Sequence, residues 1–401
     1  MERVLHINDY PADGGGGAEV VLRQTLALSR HAGVDVDVFT RADLANPRLT
    51  PLRYIDNRFA RKALHDKLNA FQPDVVHLHN FYHVLSPGIL DTLAQFKKDN
   101  GLRVVMTAHD FHLACPNSGG SWFRWWTRRR EAIEPGESLA LFTRRWDERS
   151  LAHSVLKVVQ YGWSYRWRRR QEVIDLVMCP SRCVQAMLAP LGLATIVLPH
   201  PIPPLSGVAG ERGKKLSLVF AGRIEPEKGL KEFLQQLPGD FDAELTVIGA
   251  GSELAQCEAI SKARGFGARV KFMGRLPHDE TLKRIAGCHV LVQPSRVLET
   301  YGLTLIEALA QGTNVLAINR GAAREMVEDS GVGFLFEPDD KDDLATQLRR
   351  IQRAFDAGML NRFDIHAFLA ARREDRYLGQ LLLAYGDNQS PVPSRQRPHA
   401  A

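Results

Sequence analysis

Five cysteines (Cys115, Cys179, Cys183, Cys257 and Cys288) are scattered through 401 residues. Few, odd in number and without zinc-ligand company, they argue against a disulfide framework and for a reducing compartment. No apolar run approaches the length that crosses a bilayer. The opening segment MERVLHIND reads as a charged start to a short strand, not as a leader peptide. A G-x-G-x-x-G turn is missing, and the second predicted strand ends in Phe39-Thr40-Arg41 with no acid for a ribose. A dinucleotide dehydrogenase is thereby disfavoured. Sequence repeats are lacking as well.

What is present is an alternation. At 44% apolar and 24% charged residues the composition is globular, and the length suits two domains. Short β-branched strands are predicted at 4–8, 34–39, 75–79, 104–109, 176–179 and 195–198. Helical patterns at 18–31, 59–71 and 88–97 separate them, and Ser181 is a good cap for another. A proline-rich stretch, 199–204, and glycines at 207–213 read as a linker. The alternation then restarts, with strands at 216–220, 245–248, 270–273, 289–292, 314–318 and 333–336. Such patterns give parallel sheets covered by helices, whose ligands dock at the carboxyl ends of strands. We therefore expect an α/β protein of two Rossmann-like doubly wound domains, 1–204 and 213–362, facing across a cleft. A helix at 366–386 is expected to pack back on the first domain, and 388–401, rich in Pro, Arg and Ser, to be disordered.

Chemistry-bearing residues fall at strand ends. Glu299 and Glu307 stand eight residues apart around Tyr301-Gly302-Leu303-Thr304. The first lies in a loop, the second in the opening turns of a helix reading 303–310. Unpaired N–H groups at such a helix start favour an anion, so the segment can seat a diphosphate with a hydroxyl-binding carboxylate on either side. After strand 216–220 comes Gly222-Arg223-Ile224-Glu225-Pro226-Glu227-Lys228-Gly229, which offers a guanidinium fork and a point charge to a departing diphosphate. The loop Asp13-Gly14-Gly15-Gly16-Gly17 lets backbone approach a ligand closely. His109-Asp110 ends the fourth strand. Asp35-Val36-Asp37 lies within a strand and reads as structure. His77-Leu78-His79 lacks nearby acids or cysteines to complete a metal site, and no metal site is predicted.

Taken together, these elements resemble the GT-B-fold retaining glycosyltransferases of family four, over about residues 3–385. The order E-x7-E (Glu299, Glu307), G-R-x4-K-G (Arg223, Lys228), glycine-rich first loop and HD matches that family. Val247-Ile248-Gly249-Ala250-Gly251 and Phe272-Met273-Gly274-Arg275-Leu276 resemble its strands lining the nucleotide base. The resemblance implies that Glu299 holds the donor sugar's hydroxyls and Glu307 the ribose. It implies that Arg223, Lys228 and the amides of Gly302, Leu303 and Thr304 bind the diphosphate, and that His109 faces the sugar. Gly16 and Gly17 would let the first loop reach donor or acceptor, and Gly274 and Arg275 would lie by the base. A nucleotide-sugar donor, no cofactor, metal independence and retention of anomeric configuration follow from the same likeness. Two departures stand out. His200-Pro201 replaces the family's common Asn-Gly, and Thr300-Tyr301 replaces the usual Pro-Phe.

One segment is compositionally apart. Between Ser121 and Arg170 there are 12 Arg/Lys against 5 Asp/Glu, and all six tryptophans: Trp122, Trp125, Trp126, Trp146, Trp163 and Trp167. Trp163 and Trp167, like Arg166 and Arg170, are four apart and would share a helix face. Trp with Arg suits an anionic membrane interface. The expectation is a cytoplasmic enzyme, peripheral on the inner leaflet, acting on a glycan or polyprenyl-diphosphate-linked acceptor in surface polysaccharide synthesis. A sugar-nucleotide epimerase of the same fold and a nucleic-acid-binding module using the Trp/Arg patch are the alternatives. The second is disfavoured by the lack of any RNA-binding motif, and no nucleic-acid partner is expected.

Overall fold

The computed structural model describes residues 2–126, 130–137, 139–202 and 212–386. Most of the glycine-rich linker and the 388–401 tail lie outside the described residues. The first half holds β1 (Arg3–Ile7), β2 (Asp35–Phe39), β3 (Val75–Leu78) and β4 (Arg103–Thr107). An antiparallel hairpin, β5 (Ser121–Phe123) and β6 (Arg130–Ala132), precedes β7 (Leu176–Cys179) and β8 (Thr195–Val197). Helices α1 (Gly17–His31), α2 (Pro51–Ile55), α3 (Arg58–Phe71), α4 (Ile89–Asn100), α5 (Leu151–Tyr161) and α6 (Arg182–Leu188) connect them. The second half holds β9 (Ser217–Ala221), β10 (Glu244–Ile248), β11 (Val270–Phe272), β12 (Val290–Gln293), β13 (Asn314–Ile318) and β14 (Phe334–Phe336). Its helices are α7 (Leu230–Gln236), α8 (Leu254–Ala263), α9 (His278–Ala286), α10 (Leu303–Ala310), α11 (Gly321–Ser330) and α12 (Lys341–Asp356). Two more, α13 (His366–Ala370) and α14 (Glu374–Gly386), end the described chain.

Local chemistry explains the boundaries. Asn57 caps α3 by accepting from the N–H groups of Phe59 and Ala60, and Ser181 caps α6 by accepting from Val184. The interior strands are buried on both faces, as β3 (Val-Val-His-Leu) and β13 (Asn-Val-Leu-Ala-Ile) show, so they carry apolar runs rather than alternation. All pairing within the two six-stranded sheets is parallel. The first runs β2-β1-β3-β4-β7-β8 and the second β11-β10-β9-β12-β13-β14. Both are doubly wound, and each has a switch point where strand order reverses: between β1 and β3, and between β9 and β12. Ligand crevices form at such points.

Each sheet has its own core. Leu5, Phe39, Val76, Phe111 and Trp146 belong to the first, and Leu218, Phe220, Val247 and Val290 to the second. The last helix belongs physically to the first sheet. Tyr377, Leu381 and Tyr385 of α14 pack on Val4, Val75 and Val105, and the Tyr377 hydroxyl meets Thr25 Oγ1 at 3.0 Å.

The basic-aromatic segment is not uniformly surface. Trp146 is fully buried and its indole N–H donates to Leu141 O at 3.0 Å. Trp122 is partly covered, with the Arg144 guanidinium over its ring. Arg170 does not share a face with Arg166. It turns inward and bonds Asp91 and Asp56 at 2.7 and 2.9 Å, because the π-turn that continues α5 (Gly162–Trp167) ends before it, Arg169 is left-handed (φ +51°) and a separate 3-10 turn starts at Arg170. Trp163 and Trp167 do pair, with ring centroids 5.3 Å apart.

Candidate functional site at the two switch points

On the second domain, β9 and β12 part and two loops leave their carboxyl ends. The first turns at Gly222 and carries Arg223 and Lys228. The second carries Glu299. Lys228 Nζ meets Glu299 Oε1 at 2.7 Å across the switch point. Burial alone would raise the Glu299 carboxyl, but the Lys228 charge and hydrogen bond outweigh it and hold the group below the usual range. Arg223 is mostly exposed and pairs with Glu227 at 2.9 Å, leaving much of its guanidinium turned to solvent.

The chain then enters α10 through Gly302, whose φ of +85° suits glycine. Gly302 O accepts from Leu305 and Ile306 at 2.9 and 3.2 Å. No acceptor among the described residues takes the N–H groups of Gly302, Leu303 or Thr304, so the helix start offers them to an anion. One turn further, burial pushes the Glu307 carboxyl up to about 7. Its Oε1 lies 3.7 Å from His278 Nε2 at the start of α9. Gly274 accepts from the N–H of Gly249 at 2.8 Å, and Arg275 beside it is exposed. Gly249 itself cannot carry a side chain, since a Cβ there would fall 1.8 Å from Gly222 O.

From the first domain, the glycine loop reaches the same helix start. A Cβ on Gly17 would lie 3.4 Å from Leu303 Cδ1, and one on Gly16 would strike Glu19. His109, two residues past β4, takes the Thr300 hydroxyl on its carbonyl oxygen at 3.1 Å. Ser181 Oγ donates to Thr300 O at 2.7 Å, so Thr300 stitches the domains together beside Glu299. His109, Arg223, Lys228 and Glu299 thus share one cavity of about 460 Å³. Thr304 and Lys228 share a smaller one of about 50 Å³ behind it. Gly302, Leu303, Glu307, Gly274, Arg275, Gly16 and Gly17 line neither cavity.

Behind His109 stands a histidine ladder that sequence reasoning did not assemble. His109 Nε2 meets His79 Nδ1 at 2.8 Å, and His79 Nε2 meets His6 Nδ1 at 3.2 Å. His77 is held by Tyr385 Oη at 2.9 Å and Thr107 Oγ1 at 2.8 Å. Burial pushes the His109 and His6 imidazoles down to about 4 and 3, and those of His77, His79 and His200 well below the usual histidine value. The His77-Leu78-His79 pair therefore does have a third imidazole, His6 from the parallel β1, with ligand atoms within 4.8 Å of one another. No acid or cysteine joins the three imidazoles among the described residues. Both nitrogens of His77 and of His79 are nonetheless committed to hydrogen bonds, so an ion would have to break them.

The 121–170 segment contributes more to the cavity than its composition suggested. Asp147, Arg149 and Lys157 line the wall opposite Glu299, with Lys157 Nζ 3.0 Å from Asp147 Oδ2. Burial raises the Asp147 carboxyl, but Arg149 and Lys157 win and hold it below the usual range. An acid within a basic run was the one available signal. Asp110 faces the cavity too. Burial pushes its carboxyl up to about 6, against the Tyr82 hydroxyl that donates to it.

Two parallel doubly wound sheets with their switch points facing, a cation–carboxylate pair and a helix start between them, define a GT-B glycosyltransferase fold. Residues 14–204 match the family described as Glycosyltransferase Family 4, and residues 204–354 the family Glycosyl transferases group 1. With the two matches spanning most of its length, the chain belongs to the group 1 glycosyltransferases. A phosphatidyl-myo-inositol mannosyltransferase of Mycobacterium leprae is 28% identical over 218 residues, 51% of this chain and 55% of that protein. The chain thus aligns with about half the length of this curated relative. Among solved structures, sucrose-phosphate synthase from Thermosynechococcus elongatus superposes with a TM-score of 0.69 at 18% identity, covering 96% of this chain and 98% of that one. Anabaena HepE in complex with UDP-glucose gives 0.60 at 17% identity, covering 96% and 99%. At such identities these structures speak for the fold.

Proposed function

We propose that the protein transfers a sugar from a nucleoside-diphosphate donor to a lipid-linked glycan acceptor, with retention of anomeric configuration. The observation that carries this reading is the Lys228–Glu299 pair at 2.7 Å, set beside the free amides of α10 and facing His109 across the cavity. Glu299 is placed to accept from sugar hydroxyls, and Glu307 from a ribose. Arg223, Lys228 and the Gly302–Thr304 amides supply positive charge for the diphosphate, without calling on a metal. As the anomeric carbon–phosphate oxygen bond breaks, the acceptor oxygen bonds to that carbon on the same face. The acceptor's proton passes to the departing diphosphate. The preorganised cations and helix dipole stabilise the charge that develops there. The structural neighbour in complex with UDP-glucose, and the phosphatidyl-myo-inositol mannosyltransferase relative, support donor and acceptor classes respectively. No helix among the described residues is long and apolar enough to cross a membrane. We place the enzyme in the cytoplasm, peripheral on the inner leaflet, in surface polysaccharide synthesis.

Saturation-transfer NMR against UDP-, GDP-, dTDP- and ADP-sugars tests the donor site. Selective binding of one nucleotide, weakened in Glu307→Ala, is expected. A folded protein that binds none overturns the reading. Anomeric couplings of the product then report retention, and release of a free sugar nucleotide isomer instead of a glycoside would indicate an epimerase.

A further inference from the structure

We infer that the outer face of α5 and its π-turn, bordered by α2 and the start of α3, docks on an anionic bilayer. This deepens the lipid-linked acceptor reading and rests on it for its purpose, though not for its evidence. Every fourth residue from 151 to 167 is apolar and exposed: Leu151, Val155, Val159, Trp163 and Trp167, from 37% to 77%. An α-helix would carry such a series slowly around its axis. The π-turn at Gly162–Trp167 winds more loosely, keeps residues four apart closer to register, and leaves the two indoles against each other. Since α2 packs on α5, Leu52 at 81% and Phe59 at 57% exposure extend the apolar surface. A soluble helix normally turns such a stripe inward. Here the inward face is occupied separately: Val158 and Tyr161 are buried, and Gln160 Nε2 donates to Tyr54 O and Tyr82 O at 2.5 and 2.8 Å. The stripe is surplus to the core.

Charge selects the occupant. Arg58 and Arg166 are exposed beside the stripe, as are Arg168, paired with Asp91 at 3.3 Å, and Arg169, paired with Glu172 at 2.5 Å, and Arg53 lies over the Phe59 ring at 4.3 Å. Apolar side chains rimmed by arginine fit the acyl and headgroup levels of an anionic leaflet. A second copy on this face would bring arginines against arginines. A single-stranded nucleic acid would need a series of stacking platforms, whereas Trp163 and Trp167, tilted at 54° with centroids 5.3 Å apart, form one aromatic patch.

Geometry ties the face to the cavity. Lys157, from the other side of the same α5, lines the cavity at Asp147. The lipid surface and the acceptor wall therefore stand about one helix diameter apart, roughly 10–12 Å. Lys157 and Glu299 line the same cavity, so the docking face and the donor-sugar carboxylate flank one helix.

Sedimentation of the full chain with phosphatidylcholine vesicles, with and without phosphatidylglycerol, tests the assignment. Binding only to the phosphatidylglycerol vesicles, weakened by salt and with a blue-shifted tryptophan emission, is expected. Val155→Glu and Trp167→Glu should each abolish it, and Arg168→Gln with Arg169→Gln should weaken it on the order of tenfold or more. Trp126→Glu, in the hairpin, should bind as the wild type does. Nucleotide-sugar binding, read by saturation transfer, should be unchanged in all of these. Vesicle binding that survives Val155→Glu and Trp167→Glu, or that is lost in Trp126→Glu alone, overturns the assignment. So does a dimer or a salt-sensitive RNA complex that depends on the stripe while vesicles are ignored. Vesicle binding by a protein that takes no nucleotide sugar leaves the docking face standing and removes the transferase reading.

Discussion

Glu307 is the residue whose chemistry is most exposed to test. Its folded-state carboxyl value, about 7, lies above the unfolded value near 4.5. Its contribution to stability is thus fully present below pH 4.5 and is lost as pH rises through 7. At pH 8 it is an ionised carboxylate in a poorly solvated place, and ribose hydroxyls donating to it would relieve that state. If the ionised form is the competent one, its fraction rises about tenfold between pH 6 and pH 8, and donor affinity with it. Calorimetric titration at pH 6, 7 and 8 should show this tightening, and Glu307→Gln should be flat with pH. A wild-type Kd that does not move would remove Glu307 from the ribose. The carboxylate itself was legible from its spacing to Glu299. Its protonation was not, because that depends on burial supplied by α9 and the sheet.

Among elements, α10 shows what sequence can and cannot reveal. Its bounds, Leu303–Ala310, follow from the apolar pattern, and its value as an anion seat from its place after a strand. The left-handed entry at Gly302 sets where the free amides lie. Gly302→Ala forces an L side chain into φ +85° and brings its Cβ to 3.1 Å from Leu305 Cδ1. The strain costs on the order of 1–2 kcal/mol. We expect an unfolding free energy in urea lower by that amount, and a donor affinity that falls further, since the helix start must shift to relax. Equal loss in both would mean the amides do not touch the donor. By contrast, α5 and its π-turn were not legible. A period of four fits a helix, but nothing in the sequence says that Lys157, Val158 and Gln160 point inward while Val155 and Val159 do not. The composition of 121–170 likewise could not tell Trp146, which is core, from Trp167, which is not.

At the scale of the whole molecule, the histidine ladder joins the parts. It runs from β1 (His6) through β3 (His77, His79) to the strand tip at His109. From there His200 stacks on His109 and meets Tyr301 of the second domain edge-on, while Tyr385 of α14 grips His77. The strands were readable because each is a short apolar run. The ladder was not, because it depends on register: Leu5 with Val76, and His6 with His77, side by side in parallel β1 and β3. Its members are buried and neutral, so their folded-state values lie below the unfolded value of 6.5, at about 4 for His109 and about 3 for His6. The stability this contributes is fully present above pH 6.5 and declines as pH falls from there toward the folded values. Near pH 5.5 the five unfolded imidazoles together hold roughly four to five protons that the native ones refuse. Glu307 and Asp110, raised to about 7 and 6, take up protons in the native state over the same window and offset roughly two. His83, His112 and His289 are depressed by burial as well and add to the uptake, while Glu2, raised by burial, subtracts from it, so unfolding takes up protons on balance. Unfolding free energy should therefore fall as pH drops from 6.5 through 5.5. Urea unfolding at closely spaced pH values between 7 and 5 measures that slope directly. His6→Gln keeps a polar side chain at the inner end of the ladder and removes one titrating group, so it should lower the slope by about one proton. A slope near zero in the wild type would mean that the imidazoles are charged or wet in the native state. The tight packing of α14 against β3 would then have to be held by something other than a neutral ladder.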